Sequence, residues 1–172
     1  MLIRDARPED FAKLGDIRVD AYVADGFMSP DSEYAPMLRA LGSEGLDHVL
    51  VAVKDEQNNA EILGTVMLQG WPQGGEVLTG AHEAEIRALA VSPAAQGVGV
   101  GRALLRAVIH RAAQEGIQHL VLLTQSDMKA AHHLYETAGF TRLAERDWSP
   151  EPGFTLLAYG MKLSDLEAVS NG

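Results

Sequence analysis

The sequence predicts a mixed α/β fold, because apolar runs typical of buried strands alternate with stretches whose apolar residues recur at helical spacing. Val49 to Val53 is a continuous apolar run, whereas Leu104, Leu105, Val108 and Ala112 form one stripe of a helix. Glycine and proline lie at the boundaries between such segments. A chain of 172 residues without a Pro/Gly/Ser-rich linker suits one domain with a sizeable core. We predict a single domain over residues 1–163 and a C-terminal tail over residues 164–172.

The first elements follow from short local patterns. Residues 2–6 are predicted to form a strand, and Pro8 then opens a helix that carries Phe11, Leu14 and Ile17 on one face. A second helix is predicted over about 30–42, after Ser29-Pro30 and before Gly42. The apolar run 49–53 is the next strand, and a hairpin turn over 55–59 leads into a strand over 62–68. The glycine-rich segment 71–82 is predicted to be a loop.

The second half alternates strands with longer helices, which end at glycines as helices commonly do. The predicted elements are strand 84–91, helix 100–115 before Gly116, strand 119–124, helix 128–138 before Gly139, strand 140–146 and strand 154–162.

Composition restricts the classes of function. The chain has no cysteine, which excludes disulfides, thiolate metal sites and a covalent acyl-cysteine intermediate. His132 and His133 are adjacent on a predicted helix and point to different faces, so we predict no metal. The formal net charge of −10 argues against nucleic-acid binding and favours a cationic substrate. The N-terminus lacks an apolar signal region and no apolar run approaches the length of a membrane span, so we expect a cytoplasmic protein without membrane contact.

The segment from Gln96 to Arg102 carries the strongest functional signal. Gly97, Gly99 and Gly101 allow backbone conformations that a Cβ would forbid, and they lie just before a predicted helix. The unpaired amides and positive dipole end of a helix N-terminus favour an anion such as a pyrophosphate. The spacing matches neither the P-loop, since Arg102 and Arg106 stand five residues after Gly97 and Gly101, where the second glycine would be needed, nor the dinucleotide fingerprint.

Two motifs together resemble a known family. Gln96, Gly99 and Gly101 form Gln-x-x-Gly-x-Gly after a strand, and Leu134-Tyr135-x-x-x-Gly139-Phe140 follows one helix and one strand later. The sequence therefore resembles the GCN5-related N-acetyltransferase (GNAT) superfamily, which uses acetyl-coenzyme A (acetyl-CoA). The resemblance implies a mixed, mostly antiparallel sheet of six to seven strands, with helices on both faces and a splay between the fourth and fifth strands.

The resemblance also implies how acetyl-CoA would bind. In the family the pantetheine arm extends the fourth strand, and the pyrophosphate meets the glycine loop. The corresponding residues here are Leu89, Ala90, Val91, Gln96, Gly97, Val98, Gly99, Val100, Gly101 and Arg102. Arg102 is equally compatible with a solvated helix residue. Met128 stands where the family often has an asparagine that bonds the pantetheine; a thioether cannot replace that amide, so a backbone group or Ser126 substitutes for it, or the contact is absent.

Two residues are candidates for catalysis. Tyr135 lies where many family members use a tyrosine as the general acid that protonates the coenzyme A sulfur, and a phenol stays protonated at neutral pH. The alternative is a tyrosine that only packs between helix and sheet, with His132 or the backbone bonding its hydroxyl. Glu85 lies where the histone acetyltransferase branch has its catalytic glutamate. The alternatives are an ion pair of Glu85 with Arg87, Glu83 as the base, and a water chain with no dedicated base.

The predicted function is the transfer of an acetyl group from acetyl-CoA to a primary amine of a small molecule or peptide, by direct attack in a ternary complex. Two alternatives remain open: a noncatalytic acyl-CoA sensor, and an acyltransferase that uses another acyl group or an oxygen acceptor. Dimers are common in families of this kind, so a homodimer is an expectation that no sequence feature marks.

Overall fold

The computed structural model describes residues 1–45, 48–55, 60–75 and 77–163. These residues form two compact units, each described below by itself. The first unit comprises Met1–Met67 and Ala88–Val108, and the second comprises Leu68–Arg87 and the described residues from Ile109 onward. Three elements, β3, β4 and α3, contribute residues to both units.

Four helices and eight strands make up the described part of the chain. The helices are α1 (Phe11–Ala24), α2 (Ala35–Ala40), α3 (Val100–Gln114) and α4 (Lys129–Ala138). The strands are β1 (Leu2–Asp5), β2 (Val49–Val53), β3 (Ile62–Gly70), β4 (Glu83–Val91), β5 (His119–Gln125), β6 (Thr141–Arg142), β7 (Trp148–Glu151) and β8 (Phe154–Lys162). Pro93–Ala95 and Ala144–Arg146 form short 3-10 turns.

The first unit places strands in the order β1-β2-β3-β4. β1 pairs with β2, and β2 with β3, in antiparallel register. All five residues of β2 are buried, as its continuous apolar run predicts. The apolar face of α1, with Leu14, Ile17 and Ala21, packs in one cluster with Val49, Val51 and Val53. This packing confirms Leu14 and Ile17 of the predicted stripe as core-facing, whereas Phe11 is only half-buried.

α2 is shorter than predicted. It begins after Tyr34, with Pro36 in its first turn, rather than near residue 30. Pro36 lacks an amide hydrogen and therefore fits the first turn of a helix but not its interior. Beneath α2 the guanidinium of Arg18 is only 1% exposed and donates to the carbonyls of Leu38 and Leu41. Burial lowers the pKa of Arg18 to about 10.

In the second unit the strand order is β4-β5-β8-β6, with β7 also paired to β8. β4 and β5 are parallel, whereas β8 is antiparallel to β5, β6 and β7. The prediction of a mixed, mostly antiparallel sheet is therefore confirmed. The predicted strand 140–146 is confined to β6 and a 3-10 turn, and the strand number exceeds six to seven because β7 forms at Trp148–Glu151, where no strand was predicted.

The pairing of β4 with β5 is short. It runs from Glu83↔His119 to Ile86↔Leu122 and ends there, although both strands continue. Two positions later Ala88 has a φ of 51°, in the left-handed region that a residue with a Cβ rarely occupies. β4 is therefore irregular directly after its paired segment, in accordance with the predicted splay between the fourth and fifth strands.

Two predictions fall on residues outside the described ranges. Residues 56–59 of the predicted hairpin turn and the predicted tail over 164–172 both lie there. The assignment of residues 1–163 to a single domain stays a prediction.

Gly64 in β3 provides a stability test of the first unit. A Cβ added there would lie 2.8 Å from the carbonyl oxygen of Ala90 and 3.0 Å from a methyl carbon of Leu104. Gly64→Ala is expected to lower the free energy of unfolding by about 1–3 kcal/mol, because the backbone oxygen cannot move aside cheaply. Urea unfolding measures this loss.

The matched control is Gly70→Ala at the other end of the same strand. A Cβ at Gly70 meets nothing within 4 Å. The change is therefore expected to alter stability by less than about 0.5 kcal/mol. Equal stability of the two variants would contradict the tight packing assigned to Gly64.

Candidate active site

Candidate functional residues occur in both units. The glycine loop and the second half of β4 belong to the first unit, whereas Glu85, Met128 and Tyr135 belong to the second.

The glycine loop has the open backbone that the sequence predicts. Gly97 and Gly99 have φ values of 78° and 91°, and a Cβ at either position would meet no atom within 4 Å. Val98 between them is 75% exposed. The positive φ angles at these two positions therefore favour glycine over residues with a Cβ. The space on the Cβ side of the loop is open and could admit a ligand.

The amides of this loop are free to bind. In the described part of the chain, none of the backbone N–H groups of residues 97–102 donates a hydrogen bond, and the first such bond of α3 runs from Ala103 to the Gly99 carbonyl. Unpaired amides at a helix N-terminus attract an anion through hydrogen bonds and the helix dipole. The loop is thus a cradle that fits a phosphate group.

The neighbouring part of β4 is fixed by contacts within the first unit. The Ser92 amide donates to the Leu63 carbonyl at 2.8 Å, and Ala90 is buried beside Gly64. Leu89 and Val91 are half-buried. These contacts with β3 fix the end of β4 that precedes the glycine loop. The binding of pantetheine by this part of β4 stays a prediction.

Glu85 is a buried carboxylate held by one loop amide. The side chain is 5% exposed, and its Oε2 accepts a 2.8 Å hydrogen bond from the Gly75 amide. The Arg87 Nε lies 3.9 Å from Oε1, so the ion pair considered from the sequence is present but long. Burial raises the pKa of Glu85, and the Gly75 amide and Arg87 oppose that rise only in part. A carboxylate with a raised pKa is suited to accept a proton near neutral pH.

Glu83, two residues earlier, is in the opposite situation. Its oxygens accept two hydrogen bonds from Arg146, at 2.7 and 2.8 Å, and one each from His119 and the Thr79 amide. Burial alone would raise the pKa of Glu83, but these hydrogen bonds outweigh burial and hold the pKa far below its usual range. A carboxylate so fully bonded is a poor proton acceptor, which weakens the alternative that Glu83 is the base.

Tyr135 is packed by its ring. It is 8% exposed, and its ring lies edge-on to Phe140 and tilted to Tyr159, with centroids 6.1 and 6.2 Å apart. Its hydroxyl forms no hydrogen bond with any described residue; His132, the partner considered from the sequence, instead bonds the Gln125 carbonyl. Burial raises the pKa of Tyr135 to about 12, so the phenol keeps its proton at physiological pH.

Comparison with known proteins now adds to this geometry. A model of the acetyltransferase (GNAT) family matches residues 11–140. The chain belongs to the GNAT family. Mycothiol acetyltransferase of Kocuria rhizophila is 39% identical over 93 residues, which are 54% of this chain and 29% of that protein. The chain thus matches less than a third of the length of this relative.

Solved structures share the fold. A GNAT acetyltransferase from Staphylococcus aureus Mu50 superposes with a TM-score of 0.72 at 18% identity, covering 94% of this chain and 98% of its own. A protein from Salmonella typhimurium, whose structure contains its cofactor acetyl-CoA, has a TM-score of 0.69 at 23% identity. The match covers 95% of this chain and 94% of that chain. At such identities the likeness shows the GNAT fold.

The position of Met128 departs from the family pattern. Met128 precedes α4, and its sulfur accepts a hydrogen bond from the Thr124 hydroxyl at 3.8 Å. The Ser126 hydroxyl, one of the considered substitutes for the family asparagine, donates to Asp127. Met128 therefore contacts the preceding strand β5 through its sulfur, and its contact with a pantetheine arm stays a prediction.

Sequence reasoning missed the partners of the two glutamates. Gly75, His119 and Arg146 approach Glu85 or Glu83 in the folded GNAT domain, but they are 10, 36 and 63 residues away in sequence. No local motif marks such pairs. Only the parallel pairing of β4 with β5, which sets Glu83 opposite His119, provides a signal for one of them.

Among the described residues no group of three or more His, Cys, Asp or Glu side chains is arranged to hold a metal ion. Within the same ranges no helix has the length and apolarity needed to cross a membrane.

Proposed function

We propose that this chain transfers an acetyl group from acetyl-CoA to a primary amine by direct attack. The observation that carries the proposal is the run of unpaired amides over residues 97–102, which lies within the segment that matches the GNAT family. Six backbone donors that pair with no described residue are suited to a pyrophosphate. The net charge of −10 makes such local donors necessary for holding a polyanionic substrate.

Two side chains are suited to the proton transfers of this reaction. The attacking amine must lose a proton, and Glu85 accepts it through Oε1, since Oε2 is engaged by Gly75. As the nitrogen–carbon bond forms and the carbon–sulfur bond breaks, the departing thiolate takes the proton of the Tyr135 hydroxyl. The phenol is available for this role because no described residue holds its hydroxyl.

The acceptor belongs to the class of small amine-bearing molecules or peptides. Curated relatives are named mycothiol acetyltransferases, which supports a small-molecule acceptor. The negative field of the chain favours a cationic amine over an anionic one. A thiol-release assay with acetyl-CoA against polyamines, amino acids, aminoglycosides and peptides identifies the acceptor.

The glycine loop is tested by Gly99→Ala. A Cβ at a φ of 91° costs about 1–2 kcal/mol, so the loop is expected to move its amides away from the phosphate. Acetyl-CoA affinity, measured by calorimetry, is expected to fall about tenfold, the change that 1.4 kcal/mol corresponds to.

Gly116→Ala is the control, because Gly116 has a φ of 77°, equally open surroundings and a position after the other end of α3. This variant is expected to lose similar stability and to keep its affinity. Equal affinities of the two variants would contradict the role of the loop.

The proton donor is tested by Tyr135→Phe. The ring contacts with Phe140 and Tyr159 are preserved, so stability is expected to change by less than about 0.5 kcal/mol. The kcat is expected to fall about 10²- to 10⁴-fold, the usual contribution of a general acid. Tyr159→Phe is the control, since the Tyr159 hydroxyl bonds Glu136 and is assigned no chemistry. Unchanged kcat in Tyr135→Phe would favour the alternative that Tyr135 only packs between helix and sheet.

The base is tested by Glu85→Gln, which keeps an acceptor for the Gly75 amide and removes the ionisation. Wild-type kcat/KM is expected to fall as the pH drops below the raised pKa of Glu85, because protonation removes the base. Glu85→Gln is expected to be slower and to lack this acidic limb. An unaltered pH profile would transfer the base role to water.

A further inference from the structure

The loop between β3 and β4 is attached to both glutamates of one strand face. The Thr79 amide donates to Glu83 and the Gly75 amide donates to Glu85, each at 2.8 Å. The glutamates are two positions apart on β4, so their side chains point the same way. Because the same loop makes both hydrogen bonds, a group that fixes the loop near Glu83 also fixes the Gly75 amide at Glu85.

Arg146 is the residue that holds both parts. Its two terminal nitrogens bond the two oxygens of Glu83, and one of them also donates to the Val77 carbonyl of the loop. Val77 and Leu78 pack with Val121 of β5. The Arg146 guanidinium thus neutralises Glu83. It also holds the loop at Val77, which lies between Gly75 at Glu85 and Thr79 at Glu83.

The charge balance around Glu85 depends on the same guanidinium. On its own strand Glu85 faces Arg87 at 3.9 Å and, one strand repeat away, the carboxylate of Glu83. The charged or titratable groups around Glu83 are Arg146, His119 of β5 and the half-exposed His82 at 3.9 Å. Without Arg146, the donors that remain to Glu83 among the described residues are His119 and the Thr79 amide.

We propose that Arg146 is a positioning residue for the general base, which sets the proton affinity of Glu85 by neutralising Glu83 and by holding the Gly75 amide in place. The inference rests on the proposed role of Glu85 as the general base. It adds that Arg146 and the loop before β4 control the proton affinity of Glu85. Arg146 itself touches no reacting atom. Its effect reaches Glu85 through a carboxylate and a loop, both within the second unit.

Arg146→Met is the decisive variant. It removes the charge and both bonds but keeps the length and apolar stem of the side chain. The pKa of Glu85 is expected to rise by about half a pH unit to one unit, through the exposed charge of Glu83 and loosening of the Gly75 bond.

Arg142→Met is the matched control. Arg142 also forms a two-pronged pair, with Asp147 at 2.7 and 2.8 Å, and it comes from the same segment of the chain. Its partners do not touch either glutamate. This variant is expected to lose stability while leaving the pKa of Glu85 unchanged, which separates positioning from general loosening.

The experiment is an NMR titration of the full chain labelled with ¹³C-glutamate, in which Glu85→Gln assigns the Glu85 carboxyl resonance. A higher Glu85 pKa in Arg146→Met than in wild type and Arg142→Met supports the proposal, and equal pKa values overturn it. The readout needs no acceptor, so it is independent of the proposed catalytic role of Glu85, which fails instead if Glu85→Gln leaves the pH–rate profile unaltered.

Gly75→Ala decides the proposal if Arg146→Met does not fold. An added Cβ would lie 3.0 Å from Glu85 Oε2 and press on the hydrogen-bonded carboxylate without changing any charge. The Glu85 pKa is expected to rise relative to Gly70→Ala, whose Cβ meets nothing. A pKa equal to that of Gly70→Ala overturns the role of the loop.

Discussion

The buried charge pair of Glu83 with Arg146 is the interaction on which the second unit depends. Glu83 is 2% exposed, and an ionised carboxylate at that depth is tolerated only when its oxygens are fully bonded. Its donors come from the loop before β4, from β5 and from the turn after β6. Removing one donor would leave a buried charge without its partner, so these segments are held together by a single requirement of solvation.

The same requirement explains why two glutamates on one strand face differ so strongly. Glu83 has four donors and keeps its charge at any physiological pH, whereas Glu85 has one amide and a distant guanidinium against its burial. Pairs of titratable groups whose surroundings push their pKa values apart are typical of acid–base catalysts. In this GNAT domain the structural carboxylate comes first along β4 and the candidate base comes second.

The first unit solves a different electrostatic problem. A chain with a net charge of −10 repels a polyanion at long range, so attraction must be local. In the proposed function, neutral backbone amides over residues 97–102, which donate no hydrogen bond within the described part of the chain, supply that attraction. The cost is paid in conformation, since Gly97 and Gly99 adopt backbone angles open to few other residues.

The sequence by itself determined what local chemistry encodes. Four features are local patterns, each made of residues close in sequence: the strand run 49–53, the apolar face of α1, the glycine loop and the Tyr135 motif. Their spacing alone therefore predicted these elements and indicated the family. Tertiary structure alone decided the environment of the glutamates. Arg146 bonds Glu83 although the two residues are 63 positions apart in sequence. The left-handed backbone at Ala88 could not be predicted, because no glycine at that position indicates it. Burial and charge pairing are sums over the whole fold, so a pKa is set by neighbours that no local pattern contains.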